Sequence, residues 1–147
     1  MAERVQVSSE MVLEWARIAA RSAASKTDEQ TLLLDVGDVL SITGYFVITG
    51  GRNARQVRSV AEEVEQRLHA EGGPRPLRVE GLDSLRWVLL DYGDFVVHVM
   101  LDEARAYYEL ERLWADVPRL SWASETETDS VGDVSLQAEE SPAPELR

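Results

Sequence analysis

Cysteine is absent from the 147 residues, lysine occurs once, at Lys26, and histidine twice, at His69 and His98. Without thiols the chain can hold neither a disulfide framework nor a thiolate metal site, so its fold must stand on packing. Two histidines, one on an expected strand and one near an expected helix end, are too few for a histidine metal cluster. Long apolar runs are also missing. The longest, Phe95 to Leu101, is interrupted by His98 and falls far short of the roughly 20 residues a membrane helix needs. The opening Met1-Ala2-Glu3-Arg4 leads into a stretch broken by Glu10, Glu14 and Arg17, unlike the apolar centre of a signal peptide. The expectation is a cytoplasmic protein with no membrane partner, no metal and no cofactor.

Positive charge is scarce: 27 acidic residues against 15 basic ones give a net charge of −12. Half of it sits at one end, because from Ala123 onward seven acids stand against Arg147 alone. Phosphate backbones repel an acidic protein over a Debye length of roughly 10 Å, so a nucleic-acid binder would need a concentrated basic patch. A basic protein partner suits this chain better, although moderate acidity also simply keeps a protein soluble. Fourteen of the 15 basic residues are arginine, which reads as genome bias rather than as a binding signal.

What is present is periodicity. Ser8 or Ser9 can cap a first helix of about fifteen residues in which Met11, Val12, Trp15, Ile18 and Ala19 recur at helical spacing. Thr31 to Val36 and Tyr45 to Thr49 are short β-branched and apolar runs that read as strands. A crossover helix follows over about Asn53 to Ala70, with Val57, Val60, Ala61, Val64 and Leu68 on one side and Gly72-Gly73-Pro74 as its stop. Leu77 to Glu80 is a weaker strand, and Arg86 to Asp91 and Asp94 to Leu101 are two strong ones. Asp102 then caps a last helix that aligns Ala106, Tyr107, Leu110, Leu113 and Trp114 on one face and stops before Pro118. The pattern predicts an α/β fold, a mixed sheet of about five strands packed with helices. Residues 1–122 form the domain; 123–147, rich in Ser, Thr, Glu, Pro and Ala without periodicity, are expected to be a disordered acidic tail.

The two strong strands are separated by Tyr92-Gly93, which implies a two-residue hairpin turn. With that turn, Asp91 faces Asp94, Leu89 faces Val96 and Trp87 faces His98. Val88, Leu90, Phe95, Val97 and Val99 then share a wholly apolar face that should take the amphipathic helices. The other face mixes Trp87, Leu89 and Val96 with Asp91, Asp94 and His98, the composition of an interface in which an aromatic anchor sits inside a polar rim. The plainer alternative is that other elements cover this face and Trp87 is core. Like charges opposed at Asp91 and Asp94 would be unfavourable by a few tenths of a kcal/mol, which a partner's cation or plain solvation could relieve.

Catalytic patterns are hard to find. Metal-dependent nucleotidyl transfer needs carboxylates on one face of a strand, typically two residues apart, and the expected strands have none so spaced. Asp35 and Asp38, either side of Val36-Gly37, read as a strand running into a turn. Ser41, Ser59 and Ser84 have no evident base, though chain order alone does not exclude a triad. Gly50-Gly51-Arg52-Asn53 stands between a strand and a helix, where a phosphate could bind. It matches no nucleotide fingerprint, and a glycine turn needing positive φ is the plainer reading. Arg52, Arg55 and Arg58 follow at helical spacing, and Arg58 can pair with Glu62. A solvated face accounts for them, with an acidic or RNA contact as the alternative.

Several segments taken in order resemble one known family. They are Thr31 to Val36, Ser41 to Gly50, Val79-Glu80-Gly81, Trp87 to Met100 and the closing Tyr108-Glu109-Leu110-Glu111-Arg112-Leu113-Trp114. Together they are similar to the Iojap-related ribosomal silencing factors over about residues 10 to 115. The stretch from Trp87 to His98 and the closing heptapeptide are its specific parts. The resemblance implies a nucleotidyltransferase-like fold without catalytic carboxylates and a protein that is not an enzyme. It further implies binding to the large ribosomal subunit through large-subunit ribosomal protein fourteen, a basic partner, with joining of the small subunit blocked sterically. Trp87 would be the anchor, with Leu89, Asp91, Tyr92, Asp94 and His98 around it. An open sheet face carrying Trp87 also favours a homodimer off the ribosome; direct contact with rRNA is left open. An RNA-binding module and a nucleotide-dependent enzyme are the competing classes, the first marked by salt-sensitive binding and the second by nucleotide and metal binding.

Overall fold

In a computed structural model, residues 8–123 are described. Apart from Ala123, the expected acidic tail lies outside them. Helix α1 (Ser9–Ala24) starts at Ser8, whose hydroxyl accepts from the Met11 amide at 3.0 Å, a cap worth about 1 kcal/mol. Strands β1 (Leu32–Asp35) and β2 (Tyr45–Gly51) follow. Asn53 then caps α2 (Ala54–Ala70) through the Gln56 amide at 2.8 Å. The residues α2 buries are Val57, Val60, Ala61, Val64 and Leu68, the stripe its periodicity predicts. Strands β3 (Arg78–Glu80), β4 (Trp87–Asp91) and β5 (Phe95–Leu101) complete the middle of the chain. Two short helices, α3 (Asp102–Tyr108) and α4 (Leu110–Leu113), lead to β6 (Arg119–Leu120).

Among the described residues six strands lie in the order β3-β4-β5-β2-β1-β6. Only β2 and β5 are parallel, as the crossover through α2 requires; every other pair is antiparallel. The sheet therefore has one strand more than expected. β6 escaped the sequence because two residues are too few to show a period, and its place beside β1 rests on backbone pairing of Leu33 with Leu120 and Leu34 with Arg119.

Helices α1 and α2 cover one face of the sheet. Under them Leu33, Val47, Val88, Leu90, Phe95, Val97 and Val99 are all at most 1% exposed. Burying seven such side chains contributes roughly 1.5 to 3 kcal/mol each before the entropy of ordering them is counted. On the opposite face a smaller cluster forms around Leu34, Val36, Phe46, Ile48, Met100 and Leu110.

Three local expectations change. The last helix is broken at Glu109, which takes a left-handed φ of 49° between α3 and α4, so Tyr107 and Leu113 point outward, 78% and 75% exposed. Asp102 is the first residue of α3 rather than its cap; the cap position is Leu101, which has no side-chain hydrogen bond to give. Gly50 and Gly51 belong to β2 and do not have positive φ. Gly50 is needed for close approach, since a Cβ there would lie 2.7 Å from the Met100 carbonyl and 3.3 Å from Arg105 Nη1. That arginine is 8% exposed. It ties α3 to the entry of β1 through the Gln30 carbonyl at 2.7 Å and to Glu111 of α4 at 3.3 Å.

Candidate interaction surface on the second sheet face

The turn between β4 and β5 fixes what this surface presents. Tyr92 donates its amide to the Phe95 carbonyl at 2.9 Å, so the two turn residues are Gly93 and Asp94. Gly93 has a φ of +86°, the conformation a two-residue hairpin of this handedness asks of its first central residue. The register differs accordingly from the expected one: Trp87 lies opposite Met100, Leu89 opposite His98 and Asp91 opposite Val96. Because the slip is by two residues, each side chain keeps its face, whereas a slip of one would have exchanged the faces.

Asp91 and Asp94 are therefore not opposed. Asp91 accepts from the Gly93 amide at 2.8 Å and meets Arg78 of β3 at 3.4 Å, so a cation of the chain itself already balances it, and the expected like-charge repulsion is absent. Asp94 stands exposed at the turn. There its carbonyl receives the Gly44 amide at 2.9 Å, joining the turn to the loop between β1 and β2.

Of the six residues singled out by the sequence, Trp87, Leu89 and Asp91 share the second face of β4 and are half-buried. His98 lies beside them on β5, 5% exposed, and its Nδ1 accepts from the Trp87 indole Nε1–H at 3.1 Å. Burial lowers the His98 pKa to about 4, because an apolar site disfavours the charged imidazolium. With Nδ1 accepting, the neutral ring carries its proton on Nε2, which has no partner among the described residues. Tyr92 goes elsewhere. It is 5% exposed on the α1/α2 side and stacks on Phe95 with ring centres 4.6 Å apart. The alternation that places Val88 and Leu90 inward also places Tyr92 there, a signal the sequence carried but a turn at Tyr92-Gly93 concealed. Burial, with Glu65 nearby, raises its phenol pKa well above the ordinary value.

Coverage of this face is uneven. Over β5, β2 and β1, Phe46 meets His98 edge-on at 4.6 Å and Trp114 at 5.3 Å, and Leu110 and Val117 close the cluster. Toward β3 and β4 the cover given by the described residues stops at Tyr108, whose ring lies 5.0 Å from that of Trp87. Leu89, Asp91 and Val96 beyond it keep partial exposure, beside exposed Arg78 and Glu80 on the edge strand. At the β1–β2 loop, Val39 and Ile42 are 63% and 84% exposed. Sequence reasoning missed Tyr108 and Phe46 as neighbours of this surface. Val39, Leu40 and Ile42 were legible as apolar residues in a loop, but that this loop meets the hairpin turn, through Gly44 and Asp94, was not.

The catalytic candidates do not converge. Asp35 ends β1 and turns onto the Gly37 amide at 3.1 Å, while Asp38 is exposed, as a strand exit should look. Ser41, Ser59 and Ser84 have no hydrogen bond to a histidine, and no group of three or more metal-ligating side chains occurs among the described residues. Arg52, just before the Asn53 cap, and Arg55 and Arg58 on α2 are exposed; Arg52 approaches Asp28 at 3.8 Å, and Arg58 forms no ion pair with Glu62. No helix of the described residues is long and apolar enough to cross a membrane.

Residues 9–145 match the family model described as ribosomal silencing factor during starvation. A ribosomal silencing factor of Bacillus subtilis is 40% identical over 102 residues, 69% of this chain and 86% of that one. A mouse protein named for mitochondrial assembly of the ribosomal large subunit is 33% identical over 85 residues, 56% of this chain and 37% of its own. Among solved structures, a crystal structure of a protein from Chromobacterium violaceum superposes with a TM-score of 0.66 at 33% identity, covering 77% of this chain and 92% of that one.

Proposed function

Since the chain belongs to the family of ribosomal silencing factors, we propose that it represses translation by docking on the large ribosomal subunit and sterically blocking the small subunit from joining. The contact is made to large-subunit ribosomal protein fourteen. Trp87 is the anchor, Leu89 extends the apolar patch, and Asp91 and Asp94 face the basic partner. Tyr92 and His98 serve the same hairpin from within, Tyr92 by seating it on the core and His98 beneath the anchor.

One observation carries this reading: cover over the second sheet face stops at Tyr108 and leaves Trp87, Leu89 and Val96 half-buried within a charged rim. A partly exposed indole among aliphatic side chains and charges is the composition of an interface hot spot. The net charge of −12 suits a basic partner. The role is one of occupancy, with no chemical step, and fits relatives named as silencing factors. Off the ribosome the same patch favours pairing with a second copy.

Sucrose-gradient sedimentation tests this. Tagged protein should travel with free large subunits, and adding it to separated subunits should reduce the joined ribosome peak. Migration with small subunits alone, or undiminished joining at saturating protein, would overturn the reading.

A further inference from the structure

His98 is 5% exposed and so offers a partner almost no surface. What it touches is the anchor, through the 3.1 Å hydrogen bond from the indole of Trp87 to Nδ1. Phe46 stands edge-on to the imidazole at 4.6 Å and holds the ring from the β2 side. Tyr108 closes on the indole at 5.0 Å, where α3 ends because Glu109 adopts its left-handed conformation. The indole has a single donor, and here that donor is satisfied inside the protein.

We propose that His98 is a positioning residue that sets the rotamer of Trp87 before any partner arrives, with Tyr108 as the second wall of the clamp. This rests on the docking reading above and adds two things to it. A side chain already held in one rotamer loses less freedom on binding, which strengthens affinity without a new contact. With its N–H already spent on His98, the indole asks the partner for no acceptor, so the matching site is an apolar pocket rather than one built around a carbonyl or carboxylate.

The full-length chain with His98→Leu, which removes the acceptor, is compared with His98→Asn, whose amide oxygen can take the place of Nδ1. Hydrogen exchange of the Trp87 indole proton, assigned with Trp87→Phe, reports the clamp; binding to purified large subunits reports its consequence; melting temperature reports folding. The expected result is fast exchange and roughly three- to tenfold weaker binding in folded His98→Leu, with both recovering in His98→Asn. Wild-type affinity in His98→Leu despite a freed indole would overturn the positioning role, as would His98→Asn that protects the indole yet binds no better than His98→Leu. Wild-type protein that does not bind large subunits at all would instead remove the docking reading, and this proposal with it.

Discussion

On the α1/α2 side of the sheet, Val88, Leu90, Phe95, Val97 and Val99 are completely buried. On the other side of the same two strands, Trp87, Leu89, Asp91 and Val96 keep partial exposure and only His98 and Met100 are closed off. The first face is covered by helices of 16 and 17 residues, the second by helices of seven and four. Two turns of helix cannot span a six-stranded sheet, so the cover runs out at Tyr108. A single hairpin thus combines a face closed by long helices with one that the described residues leave partly open, and substitutions on the two faces should separate in what they damage.

The largest effect should come from the closed face. Phe95→Ala should lower stability by about 3 to 5 kcal/mol, a large share of the 5 to 15 typical of a domain. Urea unfolding measures this, and a loss under about 1 kcal/mol would mean that the first face is not the main core.

His98 lies at the seam between the closed and open parts of the second face, and its effect should be read in pH. Its folded pKa of about 4 lies below the ordinary value of 6.5, so the unfolded chain takes up the proton first. Its contribution is intact above pH 6.5 and is lost as pH falls from there toward 4, by on the order of 3 kcal/mol in full. The stability difference between wild type and His98→Leu should therefore shift in favour of the variant across that window. A difference independent of pH would show the imidazole to be more accessible than its surroundings suggest.

Trp87→Ala should cost about 2 kcal/mol of binding to the large subunit, roughly thirtyfold in affinity, while losing less stability than Phe95→Ala. Val97→Ala serves as the core control. If Trp87→Ala melts at least as early as Val97→Ala while its folded fraction binds normally, the two faces have the same role and the comparison fails. The smallest effect belongs to Arg78→Ala on the edge strand. The Arg78–Asp91 pair is long, at 3.4 Å, and its arginine is 70% exposed, so chemical denaturation should register less than about 1 kcal/mol.

The period of two along β4 and β5 was enough, from sequence alone, to separate the faces, because alternation survives any even slip in register. The period of α2 likewise selected its buried stripe. In α1, by contrast, only Val12 and Ala19 of the expected stripe are buried, Trp15 and Ile18 are partly so and Met11 is 50% exposed, because small Ala16, Ala20 and Ala23 form the closest contact. Short polar side chains at Ser8 and Asn53 marked where the helices begin. Tertiary structure decided the rest. Which residues form the turn depended on Gly93 taking positive φ, a choice of backbone energy between neighbouring dipeptides that pattern does not resolve. How far the second face is covered depended on the break at Glu109, and the width of the sheet on the two-residue pairing of β6, neither of which leaves a periodic trace. The hydrogen bond from Trp87 to His98 joins residues eleven apart in sequence that the expected register had also made neighbours. Its meaning came only from burial, since an imidazole that could have been a contact at the surface becomes, once sealed beneath Phe46 and Trp87, a support for the residue above it.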